Sequence, residues 1–510
     1  MTELKYILAH DIGTEMNKAA IVGTDAKIAG TASAEYNVSY PNPGWAEQDP
    51  EVYWEAIVKT TREVLAKTKI KPSEIGALVF DAMMASIVPV DKNGKALRPI
   101  LLWLDTRASK QSDKFMTLFD PMELLRRPVI PPMSAKDQIP KIMWIKEKEP
   151  EIFAKTAKFV DVKDYMIYKC VGDFFVDWSC ASVDGMFNMK TNTFEKEIVE
   201  KIGLTEEKLS KVVKTIDMVG NLTKEAAHEL GLTENVQVVC GCGDVPAVGI
   251  GSGAIKNGNP HLYMGSSGWI ALHTDKPLFD LSGVGTICSG DPNKLLLLGQ
   301  MENAGSCLKW FKDELCESEK RTAEQSGKGV YQILDEEATK SPPGSKCLLF
   351  TPWMLGERCP FIDSKARGGF VNLALNHSKR DMIRSVMEGV AYNTRWVQDM
   401  FEVNLNQKIV ALNGVGGGAK SSLWMQIFSD VLNKPIKQIH VLQDVGSVGA
   451  AMVASVALGV YKDFDSLEKI FKVRETYNPI EENVNTYNRM YDALKKVYKG
   501  LTPIHNILNK

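Results

Sequence analysis

The stretch Tyr6-Ile-Leu-Ala-His-Asp-Ile-Gly-Thr14 decides the fold prediction for the first half of the chain. Its apolar run ends in an acid, a glycine and a hydroxyl residue, and a second apolar run, Ala19–Val22, follows closely. Short apolar runs separated by small polar residues are typical of two strands joined by a tight turn. The sequence therefore predicts a strand, a turn and a strand, with polar groups at the turn.

The same layout returns after the middle of the chain. The apolar stretch His261–Met264 leads into Gly265-Ser-Ser-Gly268 and then into Trp269–Leu272. Such an internal repeat of strand-turn-strand units, with helical patterns in between, predicts two related α/β domains, 1–253 and 254–510. No low-complexity linker separates them, so the boundary is placed by pattern alone.

Composition excludes several classes of protein. The chain has 510 residues, with 44% hydrophobic and 24% charged side chains, which is typical of a soluble globular protein. Lys and Arg total 61 and Asp and Glu total 63, so no basic field for nucleic acid is expected. The nine cysteines are scattered and odd in number, which argues against a disulfide framework and favours the cytoplasm.

No membrane segment is expected. Glu3, Lys5 and Asp11 interrupt the apolar run at the start, which is not the pattern of a secretory signal. The most membrane-like stretch, Val445–Val460, is short and rich in Gly and Ala. It predicts a buried helix packed closely on a sheet.

Two small-residue turns are candidate phosphate sites. Backbone N–H groups of such turns can point at phosphate oxygens, and Gly13-Thr14 and Gly265-Ser-Ser267 both fit. One turn in each half could clamp one phosphate chain between the domains. Asp11, two residues before the first turn, could hold Mg²⁺ directly or through water. For either turn alone, an ordinary hairpin stays the alternative.

A third glycine cluster, Gly414-Val-Gly-Gly-Gly-Ala419, follows a predicted strand, Lys408–Leu412. It fits the dinucleotide pattern G-x-G-x-x-A, so a dehydrogenase is a rival hypothesis. That fold needs an acid about 20 positions further on, at the end of the next strand. The next predicted strand, Ile436–Val441, holds no acid, and the nearest one, Asp444, lies in a following loop. We interpret the cluster as a backbone platform for a nucleotide base or ribose.

Asp244 is the candidate general base. It follows Gly-Cys-Gly after the predicted strand Val236–Cys240 and precedes a small-residue helix, Val245–Gly253. Phosphoryl transfer to an alcohol needs a base to accept the hydroxyl proton, and an Asp at a strand end suits that role. An N-cap for the helix is an equally good interpretation of the same pattern.

With these motifs on hand, the chain resembles the FGGY carbohydrate kinase family of the actin/hexokinase/Hsp70 superfamily, and most closely its xylulokinase-like branch. The resemblance runs from about Tyr6 to Tyr498, and ten motifs follow the family's order. They are Asp11-Ile-Gly-Thr14, Gly44-Trp-Ala-Glu-Gln-Asp-Pro50, Trp103-Leu-Asp-Thr-Arg-Ala108, Lys163-Asp-Tyr165, Gly243-Asp244, Gly265-Ser-Ser-Gly268, Gly356-Glu-Arg-Cys-Pro360, Ala366-Arg-Gly368, Glu388-Gly-Val390 and Gly416-Gly-Gly-Ala419.

The resemblance implies two ribonuclease H-like (actin-like ATPase) α/β domains with a central cleft. It implies that the first domain binds a small sugar, that the second binds ATP with Mg²⁺, and that the enzyme forms a homodimer. By position in the motifs, Asp244 is the catalytic base, also contacting the sugar, and Asp11 is the metal-associated acid. The positions implied for ATP are Thr14, Lys18, Gly265, Ser266, Gly305, Lys309, Gly416, Gly417 and Ser421; those implied for the acceptor pocket and its edge are Met84, Ala85, Trp103 and Asp105.

Two departures from the family pattern concern the acceptor. Xylulokinases usually carry Ser-Gly-Gln-Met-His-Gly where this chain has Asp81-Ala-Met-Met-Ala-Ser86, so Ala85 replaces the sugar-contacting histidine. The Asn common after the catalytic Asp is Val245. Both changes remove hydrogen-bonding groups to which a sugar site is sensitive. D-xylulose is the expected acceptor, while L-xylulose, ribulose, gluconate and a small polyol stay open.

Other classes are carried as alternatives. An actin-like or Hsp70-like ATPase without a sugar acceptor shares the phosphate turns, but such proteins lack the Trp103-x-Asp105 pattern. A catalytically inactive sugar sensor is opposed by the presence of both Asp11 and Asp244. The sequence therefore predicts an ATP-dependent sugar kinase.

Overall fold

The computed structural model describes residues 6–509 except 121–122, 125–126, 128, 133, 279–282 and 441–443. Each half of the chain is built on one mixed β-sheet. The first sheet has, in spatial order, the strands Met218–Asn221, Gln237–Gly243, Ile75–Ala82, Tyr6–Ile12, Met16–Gly23 and Ile28–Glu35. The second has Val284–Cys288, Leu295–Met301, Gly268–Thr274, Pro260–Met264, Leu412–Val415, Ile436–Ile439 and Val473–Tyr477.

The two sheets repeat one another strand by strand. In each, an antiparallel hairpin starts the domain, two further strands add in parallel, and an antiparallel strand closes that edge. A third strand lies antiparallel on the other side of each hairpin, and among the described residues only the second sheet carries one more strand, Val284–Cys288. The predicted strand-turn-strand units are confirmed, and their repetition extends to the whole sheet.

Helices cover the sheets. Those described are Glu51–Thr68, Ser109–Met116, Gln138–Lys148, Pro150–Lys155, Val162–Val171, Trp178–Ala181, Lys196–Lys201, Lys224–Leu230, Asp244–Gly251, Gly305–Leu315, Glu317–Ser326, Val330–Thr339, Lys379–Leu405, Ser422–Leu432, Val445–Ala457 and Glu481–Leu508. The helical region between residues 138 and 155 is divided in two, because Pro150 has no N–H for the first helix and begins the second at its first turn. None of the helices within these described ranges is long and apolar enough to cross a membrane.

One predicted strand is displaced. The apolar alternation at 408–412 predicted a strand there, but the strand is Leu412–Val415, paired in parallel with Pro260–Met264. Pairing with the neighbouring strand decides the register, and it takes Gly414 into the sheet. The glycine-rich turn therefore begins only at Gly416.

The helix Val445–Ala457 joins the two halves. It belongs to the second half by sequence but packs on strands of the first sheet and on the helix Asp244–Gly251. The two helices touch through glycines, since a Cβ on Gly449 would lie 1.8 Å from the Ala247 carbonyl oxygen. Their side chains form one buried apolar cluster with residues of both sheets. The halves thus share a core, and the boundary near residue 254 is not a break in packing.

Candidate active site

Three aspartates lie at the carboxyl ends of neighbouring parallel strands of the first sheet. Asp11 pairs in register with Asp81, and Ala82 on the same strand pairs with Gly243, the residue before Asp244. Parallel strands that end at one edge bring their following residues together, which is where open α/β sheets bind ligands. The topology therefore gathers residues that are 70 to 233 positions apart in the sequence.

Asp244 is poised between its two protonation states at neutral pH. Burial raises the pKa of its carboxyl to about 7, the charge of Asp11 adds to this, and a hydrogen bond from the Val245 N–H opposes it. That N–H donates to Asp244 Oδ1 over 2.8 Å. The helix begins at Asp244 itself, and the cap position is Gly243, so the residue is not the N-cap of the alternative interpretation. A carboxyl group of this pKa is suited to accept a proton near neutral pH.

Asp81 is a member of this cluster that the sequence reasoning missed. It is fully buried, and neither carboxylate oxygen has a hydrogen-bond partner among the described residues. Burial raises its pKa well above the ordinary value, and the charges of Asp11 and Asp244 raise it further. An acid one residue before the end of the otherwise apolar strand Ile75–Ala82, the position that Asp11 has in its own strand, was the signal available in the sequence.

The start of the helix Val445–Ala457, in the second half of the chain, covers this cluster of aspartates. A Cβ on Gly446, in the first turn of the helix Val445–Ala457, would lie 3.0 Å from Asp81 Oδ1 and 3.3 Å from Asp11 Oδ2. A side chain at this position would crowd both carboxyl groups, so the glycine allows the helix to start close to them. Lys18 Nζ lies 3.7 Å from Asp444 Oδ1, just before the helix.

The surroundings of Asp11 at this junction shift its pKa in opposite directions. Burial raises the pKa of its carboxyl, the charge of Lys18 lowers it, and that of Asp444 raises it again. The Tyr263 hydroxyl of the second sheet also has a raised pKa, first because of burial and then because of the charges of Asp11, Asp244 and Asp81. The end of the strand Pro260–Met264 therefore lies within the electrostatic range of the three aspartates, across the junction of the two halves.

The glycine turns of the second half meet at the end of that strand. The Gly305 N–H donates to the Gly265 carbonyl oxygen over 2.9 Å, and a Cβ on Gly305 would lie 2.5 Å from that oxygen. Gly416, at φ 95°, would place a Cβ 2.7 Å from the Met264 carbonyl oxygen. Gly417, next to it, has open space where a Cβ would point. These contacts bring the residues predicted for ATP into one backbone platform.

The other residues predicted for ATP have varied surroundings. Ser266 is exposed, and its carbonyl oxygen accepts hydrogen bonds from the backbone that begins the helix Gly305–Leu315. Lys309 is exposed on that helix and pairs with Asp313 over 2.7 Å. Ser421 caps the helix Ser422–Leu432 by accepting the Trp424 N–H. Their roles toward ATP stay predictions.

On the acceptor side, Trp103 is hydrogen-bonded to the turn Gly13-Thr14. Its indole N–H donates to Thr14 Oγ1 over 2.9 Å. Met84 lies against the backbone next to Asp244, because a Cβ on Gly243 would lie 2.2 Å from Met84 Sδ. Ala85 adopts a left-handed conformation, φ 65°, that non-glycine residues rarely hold. The predicted pocket residues Met84, Ala85 and Trp103 therefore lie on segments that reach both Asp244 and the turn after Asp11.

Asp105 does not present a free carboxylate to this pocket. It is fully buried, and it accepts the Ala46 N–H over 2.7 Å and pairs with Arg107 over 2.8 Å. These contacts hold the segment that carries Trp103. The geometry thus points to a positioning role for Asp105, and sugar contact by its carboxylate stays a prediction.

The residues present fit a magnesium–nucleotide substrate. Mg²⁺ prefers oxygen ligands and is usually bound by one or two carboxylates together with substrate phosphates. Asp11 offers such oxygens at the junction, next to Gly446 of the second half. No group of three or more His, Cys, Asp or Glu within the described ranges could hold a metal without other ligands. The site therefore suits a metal ion that arrives with a phosphate chain.

Comparison with known proteins decides the family. Sequence models of the N-terminal and C-terminal domains of the FGGY family of carbohydrate kinases match residues 6–251 and 262–458. The chain belongs to the FGGY family. It is thus a phosphotransferase that acts on a carbohydrate, and the family implies ATP as the phosphoryl donor, which excludes the dehydrogenase hypothesis for Gly414–Ala419.

Relatives of this sugar kinase match along their whole length. A gluconokinase of Bacillus subtilis is 30% identical over 95% of this chain and 94% of its own. A xylulose kinase of Lactococcus lactis is 30% identical over 99% of both chains. The crystal structure of a ligand-bound xylulose kinase from Lactobacillus acidophilus superposes with a TM-score of 0.89 at 26% identity, covering 99% of this chain and 100% of that one. The actin-like ATPase fold is confirmed.

Proposed function

We propose that this kinase transfers the γ-phosphate of MgATP to a hydroxyl group of a small sugar, with Asp244 as the general base. The observation that carries the proposal is the position of Asp244: a carboxyl with a pKa of about 7, at the sheet edge that faces the glycine platform. The sugar oxygen attacks the γ-phosphorus, its proton passes to Asp244, and the bond from phosphorus to the ADP oxygen breaks.

The surrounding residues would offset the charge that develops on the phosphoryl oxygens. Asp11 is the proposed ligand for the magnesium ion of the substrate, and Lys18 lies close enough to lower the pKa of Asp11. The proposed phosphate donors are the backbone N–H groups of Thr14 and of Ser266–Ser267, since those of Gly13 and Gly265 already donate to the carbonyl oxygens of Met16 and Ser267. Fixed donors of this kind act without reorganising, so positioning and electrostatics supply most of the acceleration.

The two halves divide the substrates. The second half carries the glycine platform, and the open space at Gly417 suits the flat base or ribose of ATP. The first half carries Met84, Ala85 and Trp103, which we assign to the acceptor. D-xylulose is the acceptor expected from the sequence, and relatives named for xylulose and for gluconate match equally well, at 30% identity each. Overall sequence identity therefore does not distinguish xylulose from gluconate as the acceptor, and only the side chains of the acceptor pocket can do so.

The test is ADP release by the purified enzyme with MgATP and a panel of ketopentoses, aldonates and polyols. We expect one class of acceptor to raise ADP release and to yield a sugar phosphate, and Asp244→Asn to abolish both. Asp25→Asn, at an exposed surface pair, is the matched control and should keep full activity. ADP release that no acceptor accelerates would favour the ATPase alternative. The cytoplasmic location and the homodimer stay predictions. Cell fractionation tests the location, and light scattering tests the oligomeric state.

A further inference from the structure

Three charged side chains meet beside the ring of Trp103. Lys136 Nζ lies 5.8 Å and Arg358 Cζ 5.9 Å from the centre of the ring. Glu302 lies between the two cations: its carboxylate is 3.3 Å from Lys136 Nζ and 2.9 Å from Arg358 Nη2. Lys136 belongs to the first half of the chain, and Glu302 and Arg358 belong to the second. The cluster therefore closes over the acceptor side of the junction from both halves.

The cluster carries an excess positive charge. Lys136 and Arg358 share the single carboxylate of Glu302. Burial raises the pKa of this carboxylate, but the two cations lower it by more, so Glu302 stays ionised. Glu357 lies behind it, where burial raises its pKa to about 8 and keeps it largely uncharged at pH 7. Two cations facing one anion leave one positive charge at the surface of the pocket.

Two further charged groups lie beneath this cluster and partly offset each other. Burial raises the pKa of Asp137 to about 6, and burial lowers that of Lys141 to about 7, each opposed by the charge of the other. Lys141 Nζ is fully buried and donates to the backbone carbonyl oxygens of Ala85 and Lys136. It therefore ties together the two loops that carry the pocket residues Ala85 and Lys136.

The cations have room and donors for a ligand. The side chains of Lys136 and Arg358 are 35% and 31% exposed. An ammonium group has three N–H donors, and that of Lys136 donates only to Glu302 among the described residues. By contrast, Met84 and Ala85 offer no side-chain group that could read a sugar hydroxyl. At these two positions the pocket offers no partner for a hydroxyl group, whereas Lys136 and Arg358 offer charged donors.

We propose that Lys136 and Arg358 form a carboxylate subsite, so that the acceptor is a sugar acid of the aldonate class rather than a neutral ketose. The inference rests on the proposed kinase function and names its substrate class. Guanidinium and ammonium groups bind carboxylates through charge-assisted hydrogen bonds. The acid end of the acceptor lies beside Trp103, and the hydroxyl that is phosphorylated lies toward Asp244.

The first experiment needs no variant. The rates with D-gluconate and D-glucitol are compared, since the two have the same carbon chain and differ in whether C1 is a carboxylate or an alcohol; D-xylonate and D-xylulose give a second comparison. We expect kcat/KM to be about 10- to 100-fold higher for the acid, as a charged hydrogen-bond partner predicts. The KM for the acid should rise with added KCl, because salt screens exposed charges, while the KM for a neutral acceptor should not.

Variants then test the two residues. Lys136→Gln and Arg358→Gln should each raise the KM for D-gluconate about tenfold or more and reduce the preference for the acid, and Lys136→Arg should restore it. Lys27→Gln and Arg380→Gln remove exposed cations elsewhere and should change neither constant. Circular dichroism and thermal unfolding confirm that each variant is folded.

The outcomes separate the two proposals. A neutral ketose or polyol preferred over its matched acid, or variants that weaken acids and neutral sugars alike, would overturn the carboxylate subsite and leave the kinase function intact. ATP consumption that no acceptor accelerates and that yields no phosphorylated product would overturn the kinase function itself.

Discussion

Replacing Asp244 by Asn should make the enzyme inactive and at the same time more stable at alkaline pH. Asn keeps the oxygen that accepts the Val245 N–H but cannot accept a proton from the sugar. Loss of a positioned base costs about 10²- to 10⁴-fold in turnover. In the wild type, kcat/KM should rise with pH through an inflection near 7, where Asp244 loses its proton.

The stability gain follows from the raised pKa. Below pH 3.8 the carboxyl is protonated in both the folded and the unfolded chain, so its contribution is nil. Between 3.8 and about 7 the unfolded chain releases this proton while the folded chain keeps it, and the free energy of unfolding falls by ~1.4 kcal/mol per pH unit. Over about three units this amounts to ~4 kcal/mol by pH 8, which Asn removes.

The assay is chemical denaturation of both proteins at pH 4 and pH 8, with activity measured on the same samples. We expect similar midpoints at pH 4 and a higher midpoint for Asp244→Asn at pH 8. Asp25→Asn, at an exposed surface pair, should show no such pH-dependent gain. An Asn variant that is no more stable than the wild type at pH 8 would refute a buried carboxyl with a raised pKa.

Three further changes test the architecture. Gly449→Ala should destabilise the protein by about 1–3 kcal/mol, because its methyl group would overlap the facing helix, whereas Gly500→Ala, in open space within a helix, should stabilise it by about 1 kcal/mol; urea unfolding measures both. Gly305→Ala should raise the KM for ATP by at least about tenfold by displacing the phosphate turn, and Gly329→Ala, an exposed glycine with no neighbour within 4 Å and outside the residues predicted for ATP, should leave it unchanged. Trp103→Phe loses the indole hydrogen bond to Thr14, a residue predicted for ATP, so the KM for the acceptor and the KM for ATP should both rise about three- to tenfold.

Much of the fold was predictable because it depends on local patterns. Strands with apolar runs and small polar turns, such as Tyr6–Ile12 and Pro260–Met264, are recognisable in isolation. The helix Val445–Ala457 was predicted as a buried helix on a sheet, and it is one. The strand Leu412–Val415 was misplaced by several residues, because its bounds depend on pairing with a distant strand and not on its own alternation.

The candidate site divides in the same way. Asp11 and Asp244 were singled out because they end apolar segments beside small residues, which is visible in the sequence. Asp81 was missed, because its significance comes from register: it pairs with Asp11 across the sheet and lies under Gly446, 365 positions further along the chain. Likewise, no local pattern connects Lys136 with Arg358, and only the meeting of the two halves brings both to Trp103.

By itself the sequence determined the class of fold, the two repeated units and the kinds of residue available for phosphoryl transfer, because periodicity and turn chemistry act over a few neighbouring residues. Tertiary structure alone decided which acids share one edge, how far burial raises their pKa values, and which cations face the acceptor. Those properties depend on distance and on exclusion of water, and both arise only when segments far apart in the chain pack together.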